Sequence, residues 1–123
     1  MAILNAEMKE MFKNKRYAVV GTASKTGIPN AVAMGSPMVL DDETLCFVCA
    51  SEGKTFHNVH ENPYVAITVI DADLMQQHQI KGEATIETSG PLFDQFKEQF
   101  APRNVEPKCV VKVAVSEIYS LRP

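Results

Sequence analysis

A segment near the middle of the chain combines residue types that can bind an anion. The apolar run 45–49 is followed by Ser51 and then by the Gly-Lys-Thr sequence at 53–55. The next apolar residues, Phe56 and Val59, are three positions apart, which predicts a strand, a loop and the start of a helix. A helix start presents unpaired backbone N–H groups and the positive end of the helix dipole. Together with a lysine and two hydroxyl groups, this favours phosphate as the ligand.

The same segment has two other interpretations. In the first, Ser51 or Thr55 caps the helix and Lys54 is simply solvated, and this alternative stays open. In the second, the segment is a nucleotide-binding P-loop. A P-loop needs a glycine five positions before its Gly-Lys pair, and that position holds Val48, inside the predicted strand. The following helix is also too short, so the P-loop interpretation is disfavoured.

The composition indicates one domain, residues 1–123, with an apolar fraction of 46% that is sufficient for a core. Twelve basic and fifteen acidic residues give a net charge of −3, and no basic block is present. The chain therefore lacks the pattern of a nucleic-acid-binding protein. No apolar run is long enough to span a membrane, and the N-terminus does not resemble a signal peptide. We expect a cytoplasmic protein that binds neither nucleic acid nor membrane.

The three cysteines suit a reducing compartment and do not predict a metal site. Cys46 and Cys49 form a C-x-x-C pattern, but within a strand they would point to opposite faces of the sheet. We predict that both are buried as small apolar residues. His57 and His60 lie three apart without a nearby third ligand, so we expect them on the surface.

The hydrophobic pattern predicts a mainly β protein. A helix is expected from about residue 5 to 14, with Asn5 as its N-cap, and two further helices begin near residues 54 and 91. A polar loop is expected over 71–77. The predicted strands are 17–22, 30–40, 45–49, 64–70, 79–88 and 109–119. Strands mostly at hairpin spacing favour an antiparallel six-stranded closed sheet, a β-barrel with a few short α-helices.

The strand 30–40 is unusual, because its middle consists of small residues together with Gly35 and Pro37. Such a segment indicates either the close approach of a ligand to the backbone or an irregular edge strand, and both possibilities stay open. Strands 45–49 and 64–70 are apolar on both faces. In a domain of this size, the second face needs a helix or a partner chain, and we predict a homodimer.

In this order, the motifs resemble the pyridoxamine 5′-phosphate oxidase-like superfamily of split-barrel flavin-binding proteins, and its small FMN-binding members most closely. The resemblance covers residue 17 to the C-terminus. It depends on the spacing of five segments: the small residues 31–36, the Gly-Lys-Thr-Phe-His-Asn-Val sequence 53–59, the Glu-Asn-Pro sequence 61–63, the strand 80–84 and the helix start 90–93.

The resemblance implies FMN as cofactor and a homodimer with two FMN molecules at the subunit interface. Lys54 and Thr55 would hold the phosphate, helped by Ser51 and by the loop backbone at Gly53. The flavin ring would lie along the second strand, against Val32, Ala33, Met34, Gly35 and Ser36.

The chain also departs from the full-length oxidases. It is shorter, and Arg122 near its end is only a faint counterpart of their substrate-binding basic residues, so we expect it on the surface. Glu52, beside the predicted phosphate site, opposes an anion. The resemblance therefore implies an FMN-dependent oxidoreductase or a small electron carrier rather than pyridoxamine phosphate oxidase itself. The alternative is a non-catalytic dimeric split-barrel module that binds another ligand such as haem.

Overall fold

One antiparallel sheet organises the computed structural model, which describes residues 3–121. The order of hydrogen-bonded strands across the sheet is β2-β1-β5-β6-β7-β4-β3. Its strands are β1 (Ala18–Ala23), β2 (Pro29–Met34), β3 (Met38–Asp41), β4 (Thr44–Cys49), β5 (Tyr64–Asp71), β6 (Gln76–Glu87) and β7 (Cys109–Leu121). The helices are α1 (Ala6–Asn14), α2 (Lys54–Glu61) and α3 (Pro91–Phe100), and a short 3-10 helix, Ala101–Arg103, follows α3. Arg122 lies outside the described residues.

The predicted strand 30–40 is in fact two strands that lie at opposite edges of the sheet. β2 pairs with β1, whereas β3 pairs with β4. The chain leaves β2 at Gly35 and passes through Ser36, whose Oγ accepts a hydrogen bond of 3.1 Å from the Val48 backbone N–H. Pro37 has no N–H to continue a ladder and is buried. The described sheet therefore has seven strands rather than six, and hydrogen bonds do not close it, which is the split form of the barrel.

The core lies between the curved inner face of the sheet and α1. The Asn5 side chain caps α1 by accepting a hydrogen bond of 2.9 Å from the Met8 N–H, as predicted. Burial of one apolar stripe fixes α1 against β3 and β5. The main core residues from the helix and the sheet are Met8, Met11, Phe12, Val20, Leu45, Phe47, Val65, Ile67, Val69, Ile80, Val111 and Val113.

The outer face of β4 is covered by α3. Phe96, which is 1% exposed, packs there with Cys46, Val48 and Val110. The two-sided burial of strand 45–49 thus comes from a helix of the same chain and does not require a partner. Strand β5 differs, because Tyr64 and Ile70 on its outer face are 66% and 51% exposed.

The start of β6 and a bulge within it were not predicted from the sequence. The loop predicted over 71–77 is a tighter turn at 72–75, and β6 begins at Gln76. At a bulge between Lys81 and Gly82, Gly82 lies so close to β7 that an added Cβ would collide with the Ala114 carbonyl oxygen. The alternation of strand 79–88 is otherwise as predicted, with Ile80 directed into the core. Within residues 3–121, no helix is long and apolar enough to cross a membrane.

Candidate functional site

The predicted strand–loop–helix segment opens onto a cleft of about 1060 Å³. The cleft is bounded by the end of α1, the connection between β2 and β3, the end of β4, the start of α2, and α3 with the 3-10 helix that follows it. All nine residues predicted for the site line this cleft: Val32, Ala33, Met34, Gly35, Ser36, Ser51, Gly53, Lys54 and Thr55. Their role in holding a cofactor stays a prediction, but the fold brings them to one place.

The start of α2 has no side-chain cap. Gly53 occupies the N-cap position, and no side chain accepts a hydrogen bond from the first N–H groups. The capping interpretation of Ser51 and Thr55 is therefore wrong. The first turn also contains no acidic residue, and Lys54 is exposed and makes no ion pair with the described residues. These N–H groups and this lysine are available to an anion.

Polar contacts hold α2 on the sheet. Asn58, which is buried, donates a hydrogen bond of 3.0 Å from Nδ2 to Thr22 Oγ1 on β1. Thr55 is also buried, and its Oγ1 lies 3.5 Å from Asn30 Nδ2 on β2. As an acceptor in this contact, the Thr55 hydroxyl keeps its own hydrogen for another group. Asn30, which lines the cleft, was missed by sequence reasoning because nothing local marks it.

The backbone after β2 is open to the cleft. Ala33 and Gly35 are both exposed, and β2 has a neighbouring strand on one side only. An added Cβ at Gly35 would meet only the Arg16 carbonyl oxygen, at 3.6 Å. The Gly35 carbonyl oxygen accepts a hydrogen bond of 3.0 Å from Lys15 Nζ. A flat ring can therefore approach this backbone closely.

The charges that line the cleft are all positive. Among residues 3–121, five basic residues contribute to it and no acidic residue does. The five are Lys13, Lys15, Arg16, Lys54 and Arg103. Burial lowers the pKa of the Lys15 ammonium from its usual value. An excess of one charge in a cleft of a protein with net charge −3 favours anionic ligands.

Only Lys54 of these five was predicted from the sequence. The two lysines and the arginine at the end of α1, Lys13, Lys15 and Arg16, have a local explanation, since cations favour the C-terminal end of a helix. Arg103 lies on the 3-10 helix after α3. Nothing in the sequence signals that these residues converge, because they come from three separate elements.

The remaining candidate residues lie as predicted. Cys46 and Cys49 are both buried and belong to clusters on opposite faces of β4. His57 and His60 are exposed, and His60 Nδ1 lies 2.6 Å from the Phe56 carbonyl oxygen. Across residues 3–121, no group of three or more His, Cys, Asp or Glu side chains is arranged to hold a metal ion.

Comparison with known proteins identifies the family. The sequence pattern of the pyridoxamine 5′-phosphate oxidase family matches residues 4–122. The chain belongs to the pyridoxamine 5′-phosphate oxidase family. An uncharacterised protein of Methanocaldococcus jannaschii is 33% identical over 124 residues, which cover 97% of this chain and 81% of that protein.

Solved structures of similar proteins show the same architecture. HupZ of Group A Streptococcus is 28% identical and has a TM-score of 0.88, over 97% of this chain and 94% of that one. A pyridoxamine 5′-phosphate oxidase homologue from Lactobacillus delbrueckii is 21% identical, with a TM-score of 0.80 over 97% and 99% of the two chains. An FMN-binding protein from Syntrophomonas wolfei is 16% identical, with a TM-score of 0.80 over 94% and 84%. The last two show that the fold is shared, and the predicted split barrel is confirmed.

Glu52, which was predicted to oppose an anion, has less effect in this pyridoxamine 5′-phosphate oxidase fold than its position in the sequence indicates. Glu52 precedes the Gly-Lys-Thr sequence at 53–55, but its side chain is exposed and the residue does not line the cleft. A carboxylate that faces water affects a neighbouring charge less than a buried carboxylate does. Glu52 therefore opposes an anion at Lys54 less than its position in the sequence indicates.

Proposed function

We propose that this protein is an FMN-binding flavoprotein that acts as an oxidoreductase or as a small electron carrier. The observation that carries the proposal is the cleft, where nine residues expected to contact FMN lie together among positive charges and where no carboxylate of residues 3–121 is present. Membership of the pyridoxamine 5′-phosphate oxidase family supports the proposal, as does the shared fold of an FMN-binding protein from Syntrophomonas wolfei. The cytoplasmic location expected from the free thiols is part of this proposal.

The phosphate of FMN would bind at the start of α2. Lys54 supplies a positive charge, the uncapped N–H groups donate hydrogen bonds, and the Ser51 and Thr55 hydroxyls lie beside them. Charge-assisted hydrogen bonds of this kind are stronger than neutral ones. The requirement for two negative charges on the ligand would distinguish FMN from flavins that lack a phosphate.

The ring would lie along the end of β2 and the segment that follows it. Exposed Ala33 and Gly35 present backbone rather than bulky side chains, and Lys15 holds the Gly35 carbonyl oxygen in place. FMN would supply hydride or electron transfer, and the chain would hold the ring and set its electrostatic surroundings. Nearby positive charge stabilises a reduced, anionic flavin, so the basic lining would favour acceptance of electrons.

We also propose that the protein is a homodimer whose interface includes the outer face of the sheet. Ala31, Gly21 and Ala66 stand side by side on β2, β1 and β5 in this face, and Lys81 and Glu117 continue the row. The row lines a second cavity of about 710 Å³. Small side chains make a flat surface that a second sheet can approach closely.

The outer face and the cleft are continuous. Ala33 follows Ala31 on the same face of β2 and lines the cleft, whereas Asn30 lines both cavities. The exposed rings and aliphatic chains of Tyr64, Ile70 and Tyr119 lie around the same face. A partner seated there would exclude water from one side of the bound cofactor, which supports an FMN site at the subunit interface.

Titration of the purified protein with FMN tests the cofactor proposal. We expect quenched flavin fluorescence, a shifted flavin absorption band, and one FMN per chain. Any chromophore that copurifies should be released by heat and identified by mass. Absence of saturable FMN binding would refute the proposal. Saturable binding of haem without FMN binding would establish the alternative of a module for another ligand.

Light scattering coupled to gel filtration tests the dimer. Ala66→Arg places a long charged side chain in the middle of the outer face and should produce a monomer. Ser89→Arg, in the exposed loop between β6 and α3, serves as the control and should leave the dimer intact. A wild-type protein that is monomeric at all concentrations, with FMN bound, would contradict this proposal while leaving the cofactor assignment in place.

A further inference from the structure

Two cysteines face each other beside the cleft. Cys49, the last residue of β4, is directly opposite Cys109, the first residue of β7. Both thiols are free and buried and belong to the same core cluster. Directly opposed residues of antiparallel strands have Cα atoms roughly 4.5–5.5 Å apart, within the roughly 4.4–6.8 Å that a disulfide spans. The sheet register therefore suits a bond between these two residues.

The third cysteine has a different environment. Cys46 is opposite Lys112 in the same pair of strands, and its side chain packs beneath α3 with Phe96. Burial raises the pKa of the Cys46 thiol to about 12, so it remains protonated and unreactive. Cys46 is thus an internal control, with the same strand, comparable burial and no thiol opposite it.

The pKa values of the two opposed thiols are shifted in opposite directions. The hydrogen bond from the Cys49 thiol lowers the pKa of Cys109, and the electrostatic effect of His60 acts in the same direction. The same hydrogen bond, together with burial, raises the pKa of Cys49. Cys109 is therefore the member that ionises first, and a thiolate beside a thiol is the arrangement needed for disulfide formation.

We propose that Cys49 and Cys109 are a redox-active pair that closes a reversible disulfide next to the candidate cofactor site. Cys49 lines the cleft and its partner Cys109 is fully buried, so a small oxidant that enters the cleft reaches the pair past Cys49. The disulfide would tie β4 to β7 at the residue immediately before the loop that carries Ser51 and Gly53. Its effect on FMN rests on the function proposed above, whereas the thiol chemistry does not.

The oxidant is a peroxide, either hydrogen peroxide or an organic hydroperoxide. The Cys109 thiolate attacks one oxygen, the O–O bond breaks, and an alcohol or water leaves after it takes a proton from solvent. The resulting sulfenic acid is attacked by the sulfur of Cys49, which displaces water that carries away the Cys49 proton. Two thiols lose two electrons, and the peroxide gains them. A small dithiol reverses the step by exchange.

Peptide mapping of protein treated with hydrogen peroxide tests the proposal. Trypsin cuts after Lys25, Lys54, Lys108 and Lys112. Cys109 therefore lies in peptide 109–112, and both other cysteines lie in peptide 26–54. Oxidation should join these two peptides with loss of two hydrogen atoms, and dithiothreitol should separate them. The Cys46→Ala variant should still form the link. Since Cys49 is then the only cysteine in peptide 26–54, a link in this variant must involve Cys49.

Two variants complete the experiment. Cys49→Ala and Cys109→Ala should each abolish the link, and circular dichroism should show that both remain folded. In wild-type protein, oxidation should raise the unfolding midpoint by about 10 °C, because a cross-link over a long loop restricts the unfolded chain. Three free thiols after oxidation would overturn the proposal, and so would a link that needs Cys46 or joins only separate chains. Because none of these measurements requires FMN, failure here is distinguishable from failure of the proposed cofactor.

Discussion

Replacement of Lys54 by alanine tests the phosphate contact most directly. Lys54 is exposed, lies in the first turn of α2 and makes no ion pair with the described residues. Its removal therefore leaves no buried partner unpaired. Because alanine also suits a helix, we expect the free energy of unfolding to change by less than about 0.5 kcal/mol. Any large effect should then be confined to ligand binding.

The expected loss follows from the type of contact. A hydrogen bond to a charged group contributes roughly 1.5–3 kcal/mol, and exposure to water favours the lower half of this range. A loss of about 2 kcal/mol corresponds to a roughly thirtyfold increase in the Kd for FMN. Since the contact is electrostatic, added salt should weaken FMN binding to the wild type more than to Lys54→Ala.

Fluorescence titration with FMN and with riboflavin measures this effect. Riboflavin lacks the phosphate, so its Kd should be the same for wild type and Lys54→Ala. Lys25→Ala, a variant in the turn between β1 and β2 and away from the cleft, should bind both flavins normally. Equal weakening of FMN and riboflavin, or an unchanged Kd for FMN, would refute the placement of the phosphate at α2.

Three further predictions concern stability and ionisation. Gly82→Ala should lower the free energy of unfolding by about 3 kcal/mol in urea, because its Cβ would collide with the backbone of β7. Gly21→Ala meets its nearest atom at 3.5 Å and should cost less than about 1 kcal/mol, so equal losses would contradict the collision. Phe96→Ala should cost about 3–5 kcal/mol in the same assay, and a loss below about 1 kcal/mol would show that α3 does not seal the sheet. The Glu117 carboxylate accepts a hydrogen bond of 2.6 Å from Tyr119 and raises the pKa of that phenol, so Glu117→Gln should lower the pKa measured by NMR, and an unchanged value would contradict the contact.

Local patterns in the sequence were enough to predict most of the elements. The apolar stripe of α1 with its Asn5 cap, the strand 45–49 and the helix that starts at Lys54 all depend on neighbouring residues, and all are present. The resemblance to the pyridoxamine 5′-phosphate oxidase family used the same local motifs, and the family is confirmed. The nine candidate site residues were also named in this way, since they lie in only two short stretches.

Other features depend on which strands become neighbours, and no local pattern contains that information. The break of strand 30–40 at Gly35 arises because β2 and β3 pair with different strands at opposite edges of the sheet. The cover on the outer face of strand 45–49 is α3, which is one of the two covers, a helix or a partner chain, that the sequence left open. Both outcomes were decided by long-range pairing, which fixes where each segment finds its hydrogen bonds.

For the charge of the cleft and for the thiol pair, the sequence likewise indicated single residues, whereas the tertiary structure decided which residues lie together. The sequence by itself identified Lys54 as a residue for an anion and Cys49 as a buried thiol. Only the tertiary structure brought Arg103 and the basic end of α1 to the same cleft as Lys54, and only the register of β4 with β7 placed Cys109 opposite Cys49. A residue's type is set by the sequence, but its neighbours across the sheet are set by the pairing that buries the most apolar surface and satisfies the backbone.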